Sequence, residues 1–229
     1  MKICLIPARS SSKRIPNKNI LKFFGKPIIA YTIQKAIKSK LFDKIIVSTD
    51  SKKYAKIARK HGADVPFYRS KKLSNDFTVD IDVINDFIKH CLKNKIKIKT
   101  LCYLYPINPL LKIITLKKCY QKLKKKNCNK VITVKKFSCS IQKSFVKYNK
   151  DKFKFLNKNF YNKRTQDLNS FYHDAGQCYW YKIDKKKNYL KKTQYHTHGV
   201  EIKQLESYDI DTKEDLEILK KIYKYKLYY

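Results

Sequence analysis

Glycine, proline and arginine are scarce in this chain. Its 229 residues include four glycines, six prolines, one tryptophan and one methionine. There is no Gly-x-Gly-x-x-Gly fingerprint, no Walker loop, no Gly-x-Ser-x-Gly elbow and no zinc-finger spacing, which takes support from dinucleotide-dependent dehydrogenases, P-loop NTPases and serine hydrolases. No apolar run approaches the roughly 18 residues that a membrane-spanning helix needs. The apolar N-terminal stretch is too short for a secretory leader and is interrupted by Pro7 and Arg9. The seven cysteines form no Cys-x-x-Cys pair and sit mostly in apolar runs. Buried thiols in a reducing compartment are therefore expected, and with them a cytoplasmic location and no membrane contact.

Lysine is abundant: the chain has 49 against five arginines, and a formal net charge of +36. Such a charge raises nucleic-acid binding as a possibility. However, the cations are spread along the whole chain, and phosphate and base readers lean on the planar guanidinium fork. A lysine-for-arginine drift of AT-rich coding accounts better for the composition, and no specific nucleic-acid partner is expected. Where generic cations have become lysine, each remaining arginine marks a place where guanidinium geometry matters. Arg9 and Arg14 fall in an N-terminal loop, Arg69 ends an apolar run, Arg164 sits in a polar segment, and only Arg59 lies in an ordinary helix.

Strand and helix patterns alternate, predicting βαβ units around a largely parallel sheet in a single domain over 1–229. Strands are expected at Lys2–Ile6, Lys44–Ser48, Val65–Arg69, Leu101–Tyr105, Lys130–Val134 and Gln177–Ile183. Helices are expected after Pro27 (Ile29, Ile33, Ala36, Ile37 inward), after a Thr49-Asp50 cap, over Val79–Leu92 (Val83, Ile84, Phe87, Ile88, Cys91 inward), after a Thr115 cap, and from Thr212-Lys213-Glu214-Asp215 onward. Between about 137 and 172 the rhythm breaks into a polar, aromatic, irregular excursion.

Three constellations carry chemistry. The segment Pro7–Asn19 follows the first strand with small hydroxyls and four cations, Arg9, Lys13, Arg14 and Lys18; with its successive N–H groups it suits a polyphosphate. Asp209-Ile210-Asp211 places two carboxylates on one side of an extended link, where both reach one hard cation such as Mg²⁺. Arg164-Thr165-Gln166-Asp167, with His173-Asp174-Ala175-Gly176-Gln177, offers a cation, amides and a glycine turn suited to a sugar acid. A plain basic loop, a capping turn and a polar turn are the ordinary alternatives. His196 and His198 have no third metal ligand and are expected to be structural.

Together, Pro7-Ala8-Arg9-Ser10-Ser11-Ser12-Lys13 with Ile15-Pro16-Asn17-Lys18-Asn19, then Val47-Ser48-Thr49-Asp50, Arg69 with Leu73-Ser74-Asn75-Asp76, and Asp209-Ile210-Asp211-Thr212 resemble the CMP-sugar-acid synthetases, the sialic-acid-type cytidylyltransferases. The resemblance covers nearly the whole chain. It implies a three-layer α/β/α Rossmann-like domain of the nucleotide-diphospho-sugar transferase type, in which the excursion is a small protruding dimerisation or lid element reaching over the partner of a homodimer. By this similarity Ala8, Arg9, Ser12, Lys13 and Lys18 hold CTP phosphates and Arg69 meets the cytosine side. Asp209 and Asp211 hold Mg²⁺. Arg164, Gln166, Asp174 and Gln177 line the sugar site, and Arg9, Lys18 and Asp211 act in catalysis. The implied reaction couples CTP to a nine-carbon sugar acid, releasing pyrophosphate. Phe137–Gln142, Arg164–Asp167 and Tyr172–Gln177 are most similar to the members acting on pseudaminic acid. Sialic, legionaminic or Kdo acid is the alternative substrate, and a metal-dependent glycosyltransferase or a basic nucleic-acid-binding protein is the more distant reading. One departure stands out: Ser10-Ser11 replaces the usual Gly-Gly, at a place where glycine would permit positive φ.

Overall fold

The structure, a computed structural model, describes residues 1–125, 127–183, 190 and 197–228. The strands are β1 (Lys2–Pro7), β2 (Lys22–Phe23), β3 (Lys26–Pro27), β4 (Lys44–Ser48), β5 (Thr100–Leu104), β6 (Lys130–Lys136), β7 (Phe145–Asn149), β8 (Lys152–Phe155), β9 (Tyr172–Lys182) and β10 (Thr197–Glu201). The helices are α1 (Ile28–Ser39), α2 (Lys52–Lys60), α3 (Asp80–Lys93), α4 (Ile113–Leu123) and α5 (Lys213–Tyr228). Six strands form one sheet in the order β10-β6-β9-β5-β1-β4, while β2-β3 and β7-β8 are separate hairpins.

Strand alternation builds the layers. Cys4 and Ile6 of β1 point to one face, where Ile29 and Ile33 of α1, Tyr54 and Ala55 of α2, and Leu116 and Cys119 of α4 cover them. Ile3 and Leu5 point to the other face, against Ile84, Phe87 and Ile88 of α3. Because both faces are buried, β1 and β5 are apolar throughout rather than alternating. The result is the expected three-layer α/β/α arrangement. A third cluster joins Leu219 of α5 to Phe23, Ile28 and Tyr31, which ties the end of the chain to its beginning.

Strand β1 pairs in parallel with β4 and β5, and β10 with β6. Strand β9 alone runs antiparallel, between β5 and β6, so the sheet is largely parallel, as expected, with one reversed strand. It also begins at Tyr172, five residues before the expected start, because Gly176 (φ 60) is a kink inside the strand and not a turn before it. The expected strand Val65–Arg69 does not form. Its neighbourhood makes only isolated bridges, Asp64 to Ile46 of β4 and Tyr68 to Thr49 just past the end of β4, and Pro66 has no N–H to complete a ladder. Strand β10 was not anticipated. Two caps also differ: Ser51, not Thr49-Asp50, caps α2 by accepting the Tyr54 N–H, and α4 starts at Ile113, ahead of Thr115. Ile37 lies on the exposed side of α1. Of the two histidines read as structural, His198 lies in β10 and His196 lies outside the described residues.

The excursion leaves the sheet at Phe137 and returns at Phe171, whose carbonyl accepts the Phe137 N–H (2.9 Å). Between these ends it is the β7–β8 hairpin with short turns on either side.

Candidate active site

The segment after β1 is stapled to the scaffold before its charges matter. The Ala8 N–H donates to the Ser48 carbonyl at the end of β4 (2.9 Å). Ser10 gives its N–H to Asp50 Oδ1 (2.9 Å) and its hydroxyl to Oδ2 (2.7 Å). The Ser11 hydroxyl donates to the Ser74 carbonyl (2.6 Å), and Asn19 Nδ2 donates to the Arg9 carbonyl (3.1 Å). Two consequences follow. The amides of Ala8, Ser10 and Ser12 are already engaged, the last by the Ser10 carbonyl, so the segment does not offer an unbroken run of N–H groups and its cationic side chains supply most of its charge. Neither Ser10 nor Ser11 has a positive φ, so this loop does not need the Gly-Gly of the resembling sequences.

The side chains of that segment then meet two carboxylates. Arg9 Nη1 and Lys13 Nζ each lie 2.8 Å from an oxygen of Asp76. Hydrogen bonding to Lys13, joined by Arg9, holds the Asp76 carboxyl below its ordinary range. Arg14 Nη1 (2.6 Å) and Lys18 Nζ (3.3 Å) pair with Asp211. Ion pairs this exposed contribute little to stability, so the bonds to Ser48 and Asp50 fix the loop while the cations stay exchangeable for other anions.

These groups line a cleft of about 620 Å³. It opens beyond the carboxyl ends of β1 and β5, where the chain crosses from β4 on one side of β1 to β5 on the other, the usual ligand position in open α/β sheets. Arg9, Ser12, Lys13, Lys18, Arg69, Asp209 and Asp211 all line it, as does Arg14. Arg69 is buried; its Nε donates to Ser74 Oγ (3.1 Å), and its Nη2 has no partner among the described residues. An orphaned guanidinium nitrogen on a cleft wall is a group in want of an acceptor. Ala8 is fully buried beneath the cleft and holds the loop rather than a ligand.

The sugar-site candidates are less well gathered. Gln177 is buried, with Nε2 donating to the Glu206 carbonyl (2.7 Å), so it braces the link that leads to Asp209 rather than facing the cleft. Asp174 Oδ1 accepts the Gly176 N–H and the Tyr179 hydroxyl, both at 2.8 Å. Arg164 and Gln166 stay on the exposed excursion, where Arg164 pairs with its neighbour Asp167 (2.9 Å), and neither lines the cleft of its own chain. Sequence reasoning missed Asp80, Tyr103 and Tyr105, which line the cleft with hydroxyls bound to carboxylate. The i, i+2 spacing of the two tyrosines on a strand puts them on one face. Nothing in the sequence points to Asp80 as their acceptor.

The donor set at Asp209 and Asp211 consists of hard oxygens facing the cleft. No cluster of three or more histidine, cysteine or acidic side chains suited to a metal occurs among the described residues. Two carboxylates are what Mg²⁺ takes when phosphates and water complete its shell, so the residues fit such an ion.

An α/β sheet with a cation-rich cleft at the crossover is the arrangement of a nucleotide-binding protein. The sequence model of one family, cytidylyltransferase, matches residues 3–229, and the chain belongs to that family. It is similar to pseudaminic acid cytidylyltransferase of Campylobacter jejuni subsp. jejuni serotype O:23/36 (strain 81-176), with 35% identity over 97% of this chain and 96% of that protein. It is 33% identical to N-acylneuraminate cytidylyltransferase of Escherichia coli O18:K1:H7 (strain RS218 / NMEC), over 94% of this chain and 50% of that one. Among solved structures, CMP:2-keto-3-deoxy-manno-octonic acid synthetase complexed with CTP superposes with a TM-score of 0.71 at 16% identity, covering 98% of this chain and 99% of that one; at that identity the likeness shows the fold.

Proposed function

We propose that this chain transfers the cytidylyl group of CTP to a nine-carbon sugar acid, pseudaminic acid in the first instance, releasing pyrophosphate. The observation that carries the reading is the convergence of Arg9, Lys13, Lys18 and Arg69 with Asp209 and Asp211 on one cleft, in a chain similar over nearly its whole length to a protein named for that sugar.

The anomeric oxygen of the acid attacks the α-phosphorus as its hydroxyl proton passes to solvent, the bond to the bridging oxygen of the β-phosphate breaks, and pyrophosphate leaves. Most of the rate enhancement in such a transfer comes from alignment and from neutralising charge on the phosphates. In this reading Arg9, Lys13 and Lys18, now paired with Asp76 and Asp211, hold the triphosphate once it displaces those carboxylates. Lys18 is the least exposed of the three and is assigned to the departing pyrophosphate with Arg9. The orphaned Nη2 of Arg69 suits an acceptor on the cytosine side. Asp209 and Asp211 would hold Mg²⁺, which when bound supplies charge neutralisation and polarises the phosphate.

The sugar site is completed by a second copy of the chain. Phe145, Tyr148, Phe153 and Tyr161 of the excursion are each more than half exposed, a density of rings that suits a homodimer interface. In that arrangement Arg164 and Gln166 reach the partner's cleft. A reducing cytoplasm, where all seven thiols stay free, fits both the cysteines and a CTP-consuming enzyme.

Pyrophosphate release with CTP, Mg²⁺ and a panel of pseudaminic, legionaminic, sialic and Kdo acids tests the proposal. Turnover with pseudaminic acid at the highest kcat/KM is expected. Absence of pyrophosphate with every acid overturns the reading.

A further inference from the structure

One wall of the cleft consists of phenols tied to carboxylates. Asp80, the first residue of α3, accepts the Tyr103 hydroxyl on Oδ1 (2.7 Å) and the Tyr105 hydroxyl on Oδ2 (2.5 Å). Beyond Tyr105, whose ring meets that of Tyr179 edge to face at 5.5 Å, the Tyr179 hydroxyl is bound in turn to Asp174. Burial, reinforced by the neighbouring carboxylates, pushes all three phenols far above their ordinary range, so each keeps its proton.

A phenol has one proton to give and two lone pairs to receive with. Here each proton is already donated to a carboxylate. What Tyr103, Tyr105 and Asp80 have left to offer the cleft is lone pairs only. A hydroxyl that was free to rotate could donate or accept as the ligand required; these cannot without breaking a charge-assisted bond, about twice as strong as a neutral one. Away from the buried Arg69 guanidinium, whose charge Tyr103 and Asp80 both feel, the wall therefore matches N–H and O–H donors and repels a carboxylate, in contrast to the cations of the Pro7–Asn19 segment.

We propose that Asp80, acting with Tyr105, is a specificity-determining residue for the acceptor substrate. Their acceptor groups take the donor-bearing face of the sugar acid, its hydroxyl or acylamino N–H groups, and turn the sugar carboxylate away from this wall. This inference rests on the cytidylyltransferase reading above and adds the orientation of the sugar to it. No donor on the sugar is then left facing a donor on this wall, and discrimination comes from the penalty of an unpaired buried acceptor when a substrate lacks the matching N–H or O–H.

The test is a set of kinetic comparisons on the full chain with CTP and Mg²⁺. Pyrophosphate release by the unsubstituted protein with a nonulosonic acid comes first; if no acid is turned over, the activity assignment itself has failed. Given turnover, D80N is expected to raise KM for the acid about 10- to 100-fold, the loss of a charged hydrogen-bond acceptor, with KM for CTP unchanged within about twofold. Y105F, which keeps Asp80 and the ring, is expected to raise it about three- to tenfold. Analogues of the acid with one acylamino group N-methylated or one hydroxyl removed supply a cycle: the analogue that loses most with the unsubstituted protein should lose little further with D80N. A role confined to folding would shift the melting temperature and both substrates' KM together. The inference is overturned if the KM values for acid and CTP rise in parallel, if the acid's KM does not move in D80N and Y105F, or if every analogue's loss adds fully to that of D80N. Should D80N not fold, Y105F with the analogues decides.

Discussion

The Pro7–Asn19 segment and the excursion at 137–172 look alike in sequence: both are polar, cation-bearing and without periodicity. Their contacts differ in kind. The first is held by residues far away in the chain, Ser10 by Asp50, Ser11 by Ser74 and Lys18 by Asp211. The second is held largely by itself, with Ser140 bound to Gln142, Arg164 to Asp167, and β7 paired to β8. Long-range stapling gives a segment one fixed shape against a rigid sheet, which positioning phosphate requires. Local bonding gives a self-sufficient hairpin whose rings remain exposed, suited to meeting another surface. Breaking a bond in the first region should therefore damage chemistry or folding, and in the second should leave the single chain intact.

The largest effect is expected at Asp211, where the two readings of the cleft meet. Asp211→Asn removes a charge that pairs with Arg14 and Lys18 and that is assigned to the metal. A fall in kcat of about a hundredfold or more is expected, measured as pyrophosphate release at saturating CTP. Turnover near that of the unsubstituted protein would remove Asp211 from the mechanism.

Arg164→Ala is the matching probe in the excursion. Its pair with Asp167 is exposed on both sides, and the melting temperature should stay within about 2 °C. If a second copy brings Arg164 to the sugar carboxylate, KM for the acid rises about tenfold while KM for CTP holds. An unchanged KM for the acid confines Arg164 to the excursion. Changing Tyr148 and Phe153 together to Asp sharpens the same point. Both rings lie outside the core (57% and 58% exposed), so the fold persists, and sedimentation should show the oligomer shifting to the monomer.

Much of this contrast was legible in the sequence, and the physical reason is periodicity. The inward face of α3 (Val83, Ile84, Phe87, Ile88, Cys91) follows from 3.6-residue spacing and is buried throughout. The scarcity of arginine points to Arg9, Arg14 and Arg69, which share one cleft, and to Arg164, which does not line it, and sets apart Arg59, which donates to the Val65 carbonyl away from it. What failed depended on partners that no local pattern contains. Asp50 reads as a helix cap but serves Ser10. Gln177 reads as a ligand but serves Glu206. Gly176 reads as a turn, whereas it lies in an irregularity inside β9, where the pairing with β6 shifts register between Asp174 and Tyr179. The Asp80–Tyr105 bond spans 25 residues and exists only because α3 starts where β5 ends.

Asp50→Ala ranks next, because it leaves the Ser10 amide and hydroxyl without their acceptor. A cost of about 1–3 kcal/mol is expected, a melting-temperature fall of about 2–10 °C for a domain this size. KM for CTP should rise with it, since Arg9 is carried by the same loop.

The smallest expected effect bears on the serine pair that departs from Gly-Gly. Ser10→Gly keeps the amide bond to Asp50 and loses only the hydroxyl bond. Because the Ser10 backbone is not left-handed, glycine relieves no strain there and adds freedom to the unfolded chain. Loss of a part-buried hydrogen bond and that added entropy together cost on the order of 1–2 kcal/mol, a melting-temperature fall of about 2–6 °C. The KM for CTP should change less than in Asp50→Ala, since the amide staple survives. A rise in melting temperature, or a tighter KM for CTP, would mean that the loop prefers a conformation only glycine reaches. The serines would then be a compromise imposed on this site rather than the pair of bonds that holds it.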